Sequence, residues 1–175
     1  MKLYFVTDSY IEYLSKYDSR VSSNKIGTRT HGRKYLGLVL EINSVKYFAP
    51  LASPKKSDYT KDAKGNQIIR KSIVPIIRML HKGKNENISL LGTIKLNNVI
   101  PVPDSELINY DASSESDLRY KNLISNEWKF IRQNEDIIKK NALTIYTQKT
   151  KRKEIGYLKH TVDFKVLEKA CKAFP

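Results

Sequence analysis

The sequence predicts an α+β fold, a compact antiparallel sheet with helices packed on it, and three observations lead there. Two apolar runs, YLGLVLEI over 35–42 and VKYFA over 45–49, are separated only by Asn43-Ser44, which reads as a hairpin. From about Tyr120 onward the apolar period lengthens from strand-like to helical, with Leu123, Ile124, Trp128, Ile131 and Ile138 falling largely on one stripe. The 175 residues, 40% hydrophobic and 29% charged, are about one domain's worth and can bury a core without a disulfide or metal staple.

The elements follow in order. Leu3 to Val6 predicts a short buried strand, and Ser9-Tyr10-Ile11-Glu12 matches a capping box that opens a helix carrying Tyr10, Tyr13, Leu14 and Tyr17 on one face. Residues 18–34 are polar and basic and predict a long surface loop. After the hairpin, Pro50 and Pro54 loosen the pairing, because proline lacks the N–H a ladder needs. Lys55 to Gln67 predicts a charged excursion with a turn at Gly65-Asn66; Ile68 to Leu80 and Ile94 to Val102 predict further strands. Glu115 and Asp117 stand near the start of the long helix, whose pattern breaks at Asn134 and resumes through Tyr146. Asp163 is the expected cap of a last helix through Phe164, Leu167, Cys171 and Phe174. No repeat, linker or low-complexity tract interrupts the chain, so a single domain over 1–175 is expected.

Charge narrows the function. Thirty-two Lys and Arg against 18 Asp and Glu give a net charge of +14, a field that attracts polyanions, nucleic acid foremost. A lysine-rich solvated surface produces the same count, but the charge is segregated. Arg20 to Lys34 holds five bases and no acid, and Lys149 to Lys159 holds five bases and one acid, whereas Asp104 to Asp136 holds eight acids and four bases. No apolar run reaches the roughly 20 residues of a membrane span, and Met1 to Tyr10 lacks a signal peptide's apolar stretch. The lone Cys171 fits a reducing cytoplasm, the expected location.

The three histidines have no metal-ligand spacing, and neither a nucleophile elbow nor a Walker loop is present, so no cofactor is expected. Carboxylates between 104 and 136 read as an exposed helix and its lead-in. What remains is basic and hydroxyl-rich. With a turn at Asn43-Ser44, residue i faces residue 87 − i, so Arg33 lies opposite Pro54 and the Arg29–Lys34 flank meets Ser53-Pro54-Lys55-Lys56 at one end of the sheet. Such a set suits metal-independent RNA cleavage, in which the RNA 2′-OH attacks its own phosphorus and the protein stabilises charge and moves two protons. A non-catalytic RNA-binding protein uses the same basic face, and a DNA-binding regulator ranks last for want of a helix-turn-helix. Taken singly, Ser53 is more often a turn hydroxyl, Lys55-Lys56 a solvated pair and Tyr10 a core residue.

Met1-Lys2-Leu3-Tyr4 with Tyr10-Ile11-Glu12-Tyr13-Leu14, the block from Gly37 to Ile42, Lys46-Tyr47-Phe48-Ala49-Pro50-Leu51, Ser53-Pro54-Lys55-Lys56, Gly92 to Leu96 and Phe130-Ile131-Arg132 together resemble the ToxN/AbiQ family of endoribonuclease toxins from type III toxin–antitoxin systems. The resemblance implies a twisted, barrel-like antiparallel sheet related to the MazF/Kid/CcdB toxins and elaborated with helices. It implies cleavage to a 2′,3′-cyclic phosphate and a 5′-hydroxyl, and inhibition by a cognate repeat-derived RNA pseudoknot that the toxin processes and holds in a closed complex. The implied role is growth arrest and phage defence. By position, Tyr10, Arg33, Ser53 and Lys55 match catalytic positions, with Ala52 replacing a threonine of some members and Arg29 a tyrosine. Arg29, His31, Lys34, Lys56, Lys149, Lys151, Arg152 and Lys153 are the expected RNA-binding residues.

Overall fold

A computed structural model describes residues 1–24, 32–83 and 85–175. Arg29 and His31, expected to bind RNA, lie outside the described residues. Nine strands and four α-helices follow one another as β1 (Lys2–Val6), α1 (Asp8–Ser15), β2 (Tyr35–Ile42), β3 (Val45–Ala52), β4 (Tyr59–Lys61), β5 (Gln67–Ile69), β6 (Ile76–Lys82), β7 (Ile88–Lys95), β8 (Ile100–Pro101), β9 (Leu107–Asn109), α2 (Leu118–Gln133), α3 (Glu135–Thr150) and α4 (Phe164–Lys172) among the described residues.

The sheet is antiparallel, in the order β6-β7-β3-β2-β1-β9. Among the described residues its path stays open, with β6 and β9 at its two ends; β4 and β5 form a separate small hairpin. β3 is the hub. Its first half pairs with β8 at Tyr47 and Phe48, its second half with β7 at Leu51 and Ala52, and its other edge with β2. α2 packs on β6 and β7, α3 on β2, and α4 on β8 and α1. The core gathers fully buried Tyr35, Tyr47, Phe164, Ile131 and Ile138 from sheet and helices alike.

The hairpin turns at Asn43-Ser44, both at positive φ (49° and 64°), as a two-residue turn between twisted strands requires. Near the turn the predicted register holds, with Leu40↔Tyr47 and Ile42↔Val45. It then slips: Leu36 faces Ala49 and Tyr35 faces Pro50, so beyond the bulge residue i faces 85 − i and Arg33 comes level with Ala52 rather than Pro54. Residues 37–39 there oppose Phe48 alone, and Gly37 leaves room for its ring: a Cβ at Gly37 would stand 2.1 Å from Phe48 Cε1. β3 also runs past Pro50, because the Leu51 N–H donates to Lys34 O (2.8 Å) and resumes the ladder.

Other boundaries moved for local reasons. Thr7, not Ser9, caps α1, accepting from the Tyr10 N–H. The run predicted over Ile68–Leu80 divides into β5 and β6, because Ile73 and Ile76 exchange backbone hydrogen bonds around Pro75. β9, three residues long, was not predicted. Asp163 caps α4 as expected, Asp117, expected only near the start of the long helix, caps α2, and α2 and α3 meet at Asn134.

Candidate active site

β3 ends at Ala52, and Ser53, Pro54, Lys55 and Lys56 leave the sheet exposed to solvent. A 3-10 turn over Lys56–Asp58 then directs the chain inward. Asp58 is buried; its carboxylate accepts the Lys55 N–H (2.9 Å) and pairs with the equally buried Arg78 of β6 (3.1 Å). Arg78 in turn donates to Lys71 O (2.8 Å). The backbone of Lys55 is therefore anchored to the sheet while its side chain stays in solvent, making no hydrogen bond or ion pair among the described residues.

The opposite wall comes from the approach to β2. Arg33 is only 6% exposed and donates from Nε to Ser23 O (3.0 Å) and from Nη1 to Leu51 O (3.1 Å). Lys34, 4% exposed, donates to the Tyr120 hydroxyl, and its ammonium lies 4.4 Å from the Tyr110 ring centre and 5.6 Å from that of Phe5. Burial among these rings pushes Lys34 down to about 8, opposed by the negative charges of Glu127 and Glu115.

Between the walls lies a cavity of about 260 Å³. Its polar lining is Arg33, Lys34, Ser53, Tyr120 and Glu127; Leu51, Pro54, Leu91 and Leu123 form apolar sides. Glu127 is 7% exposed, and burial pushes its carboxyl up to about 7, with the Lys34 charge acting in the opposite direction. Gly92 of β7 makes room for it: a Cβ there would stand 2.9 Å from both Glu127 Oε1 and Ala52 O.

The structure thus brings Arg33, Lys34 and Ser53 into one cavity, with exposed Lys55 and Lys56 following Ser53 in the chain. It does not bring Tyr10 there. Tyr10 is 0% exposed, stacked edge-on against Phe174, and its hydroxyl donates to Pro101 O (2.8 Å); burial drives its pKa far upward. In that placement the hydroxyl reaches neither solvent nor the cavity and instead fixes α1 to β8. Lys149, Arg152 and Lys153 line a different cavity at the end of α3, with no lining residue in common. Lys149 there donates to Leu158 O (2.8 Å), while Lys151, Arg152 and Lys153 are exposed.

Residues 2–172 match the family described as toxin ToxN of type III toxin–antitoxin systems. The chain belongs to the ToxN family. It is 30% identical over 174 residues to the endoribonuclease ToxN of Pectobacterium atrosepticum, covering 99% of this chain and 94% of that protein. It is 31% identical over 168 residues to the endoribonuclease AbiQ of Lactococcus lactis subsp. lactis, covering 96% and 86%. Its fold matches a solved structure in which a processed non-coding RNA regulates a bacterial antiviral system, with a TM-score of 0.83, 30% identity and 99% coverage of both chains. It also matches the structure of AbiQ, described as a lactococcal anti-phage endoribonuclease of a type III toxin–antitoxin system, with a TM-score of 0.76, 27% identity, and 98% and 95% coverage.

In this ToxN-family chain, sequence reasoning missed Glu127, Tyr120, Asp58 and Arg78 at the site. Glu127 carried a signal: positions 120, 124, 127 and 131 share one helical face, and the flanking Ile124 and Ile131 are buried. The Asp58–Arg78 pair carried none, because its partners are 20 residues apart on elements whose pairing no local pattern specifies.

Proposed function

We propose that this chain is a metal-independent endoribonuclease toxin acting in the cytoplasm as a single domain, with the barrel-like sheet of the MazF/Kid/CcdB class. The RNA 2′-OH attacks the adjacent phosphorus, leaving a 2′,3′-cyclic phosphate and a 5′-hydroxyl. A cognate repeat-derived RNA pseudoknot, which the toxin processes, occupies the same site in a closed toxin–RNA assembly, and release of the toxin arrests growth during phage infection. The observation that carries the reading is the convergence of Arg33, Lys34 and Ser53 in one cavity beside the solvent-exposed Lys55, in a chain matched over residues 2–172 to the toxin ToxN family and similar to relatives named endoribonucleases.

The roles divide by exposure. Lys55 and Lys56, exposed, hold phosphate oxygens, and Ser53 orients the linkage or relays a proton. Arg33 acts at one remove: its Nε and Nη1 donate to Ser23 O and Leu51 O, so it holds the end of β3 in place. Lys149, Lys151, Arg152 and Lys153 form a second basic surface that contacts the RNA at a distance from the reaction.

Ser53→Ala and Lys55→Ala test the reading. Both residues are exposed, so the fold is retained while RNA cleavage in EDTA and growth inhibition fall by about 100-fold or more. Cleavage unchanged in both variants removes these roles. Tight binding by the unmodified protein with only intact RNA recovered leaves the non-catalytic reading in its place.

A further inference from the structure

Glu127 is out of character with its surroundings. Among the described residues it is the one acid lining a cavity that otherwise offers cations and a hydroxyl. Its neighbours along α2 on the same face, Ile124 and Ile131, are apolar and buried, so a leucine would sit there at no cost in solvation. Glu127 is more than nine-tenths buried, yet among the described residues its carboxyl accepts no hydrogen bond and forms no ion pair. Its oxygens are not among the buried polar atoms left unpaired, so they face the cavity and keep both acceptors for a ligand that enters it.

The chemistry of that ligand follows from the lining. A phosphate brings only acceptors and negative charge, which Glu127 repels. A ribose hydroxyl supplies one donor but does not fill apolar sides formed by Leu51, Pro54, Leu91 and Leu123. A flat nucleobase does both: its faces lie against apolar and aromatic side chains and its edge carries the donors. Guanine alone among the four bases presents two adjacent N–H donors, N1–H and N2–H, beside an acceptor, O6. The cavity presents a carboxylate with both acceptors open and, in the same lining, the Lys34 ammonium, which keeps donors beyond the one given to Tyr120.

We propose that this cavity is a nucleobase subsite that selects guanine next to the scissile linkage, Glu127 accepting from N1–H and N2–H and Lys34 donating to O6. The inference rests on the endoribonuclease reading for its RNA but not for its test. Anisotropy titrations use uncleavable 2′-O-methyl oligouridine with one central residue replaced by guanosine, inosine or adenosine. Guanosine binds tenfold or more tightly than uridine, the discrimination of a bidentate base contact. Inosine, which lacks the 2-amino group, falls between them. In Glu127→Leu the guanosine-to-uridine ratio falls to about one, and in Glu127→Gln, which keeps a single acceptor, it falls severalfold; circular dichroism melts confirm that both variants are folded. Equal affinity for guanosine and uridine, a preference for adenosine, or a guanosine preference that survives in Glu127→Leu overturns the proposal. Cleavage of a transcript by the unmodified protein is measured in parallel. A cleaving enzyme indifferent to guanine refutes the subsite alone, and a guanine-selective protein that never cleaves refutes the enzymatic reading alone.

Discussion

Replacing Glu127 by glutamine changes how stability depends on pH, and the size follows from the burial of one carboxyl. In the folded chain burial holds this group at about 7, against an ordinary 4.5. The raised value means that between 4.5 and 7 the folded state keeps a proton that the unfolded chain has released. Stability therefore falls as pH rises through this window, because the unfolded state binds fewer protons. The span is about 2.5 pK units at 1.36 kcal/mol each, so the carboxylate costs about 3 kcal/mol above neutrality. Glutamine removes that net cost, in which the attraction of Lys34 already offsets part of the desolvation. Urea unfolding at pH 5, 6, 7 and 8 reads the result. At pH 5, where both folded chains carry a neutral side chain but the unfolded carboxyl has already lost most of its proton, the variant leads by about 1 kcal/mol, and at pH 8 it is the more stable by about 3 kcal/mol. Parallel stability curves across this range would refute the reasoning, since they require a Glu127 that titrates as it does in the unfolded chain.

Three further outcomes follow. Lys34, held down to about 8, is largely neutral at pH 9; RNA affinity of the unmodified protein falls more steeply between pH 7 and 9 than that of Lys34→Arg, whose guanidinium keeps its charge, as filter binding at constant salt will show. Asp58→Ala leaves the Arg78 guanidinium buried without its carboxylate, lowering stability by about 3 kcal/mol or more in urea titrations. The freed Lys55 backbone also reduces cleavage by the folded fraction. Gly37→Ala drives a methyl into the Phe48 ring and destabilises by about 3 kcal/mol, read as a lowered thermal midpoint.

Much of the fold was legible because it is written locally. The β2–β3 hairpin, its Asn43-Ser44 turn, the Asp117 and Asp163 caps and the Asn134 junction each depend on residues within a few positions of one another. Errors arose where a distant partner decided. The two-residue slip of register depends on Gly37 meeting Phe48 eleven positions away, and β9 exists because β1 offers it an edge. The candidate site divides the same way. Ser53, Lys55 and the basic flank at Arg33 could be placed at one sheet end from hairpin arithmetic, whereas Tyr10 could not be separated from core tyrosines until Pro101 and Phe174 were seen around it.

By itself the sequence determined the class of the molecule: a strongly basic α+β chain whose motifs resemble one toxin family, with a hydroxyl and two lysines presented where a strand leaves the sheet. Only the tertiary structure decided which charged groups lose their water. Arg33, Lys34, Asp58 and Glu127 read as polar surface in one dimension, and they and Arg78 are buried in three. Burial is a property of what packs against a residue, and it is burial that turns a common lysine and glutamate into groups poised near neutral pH in the lining of one cavity.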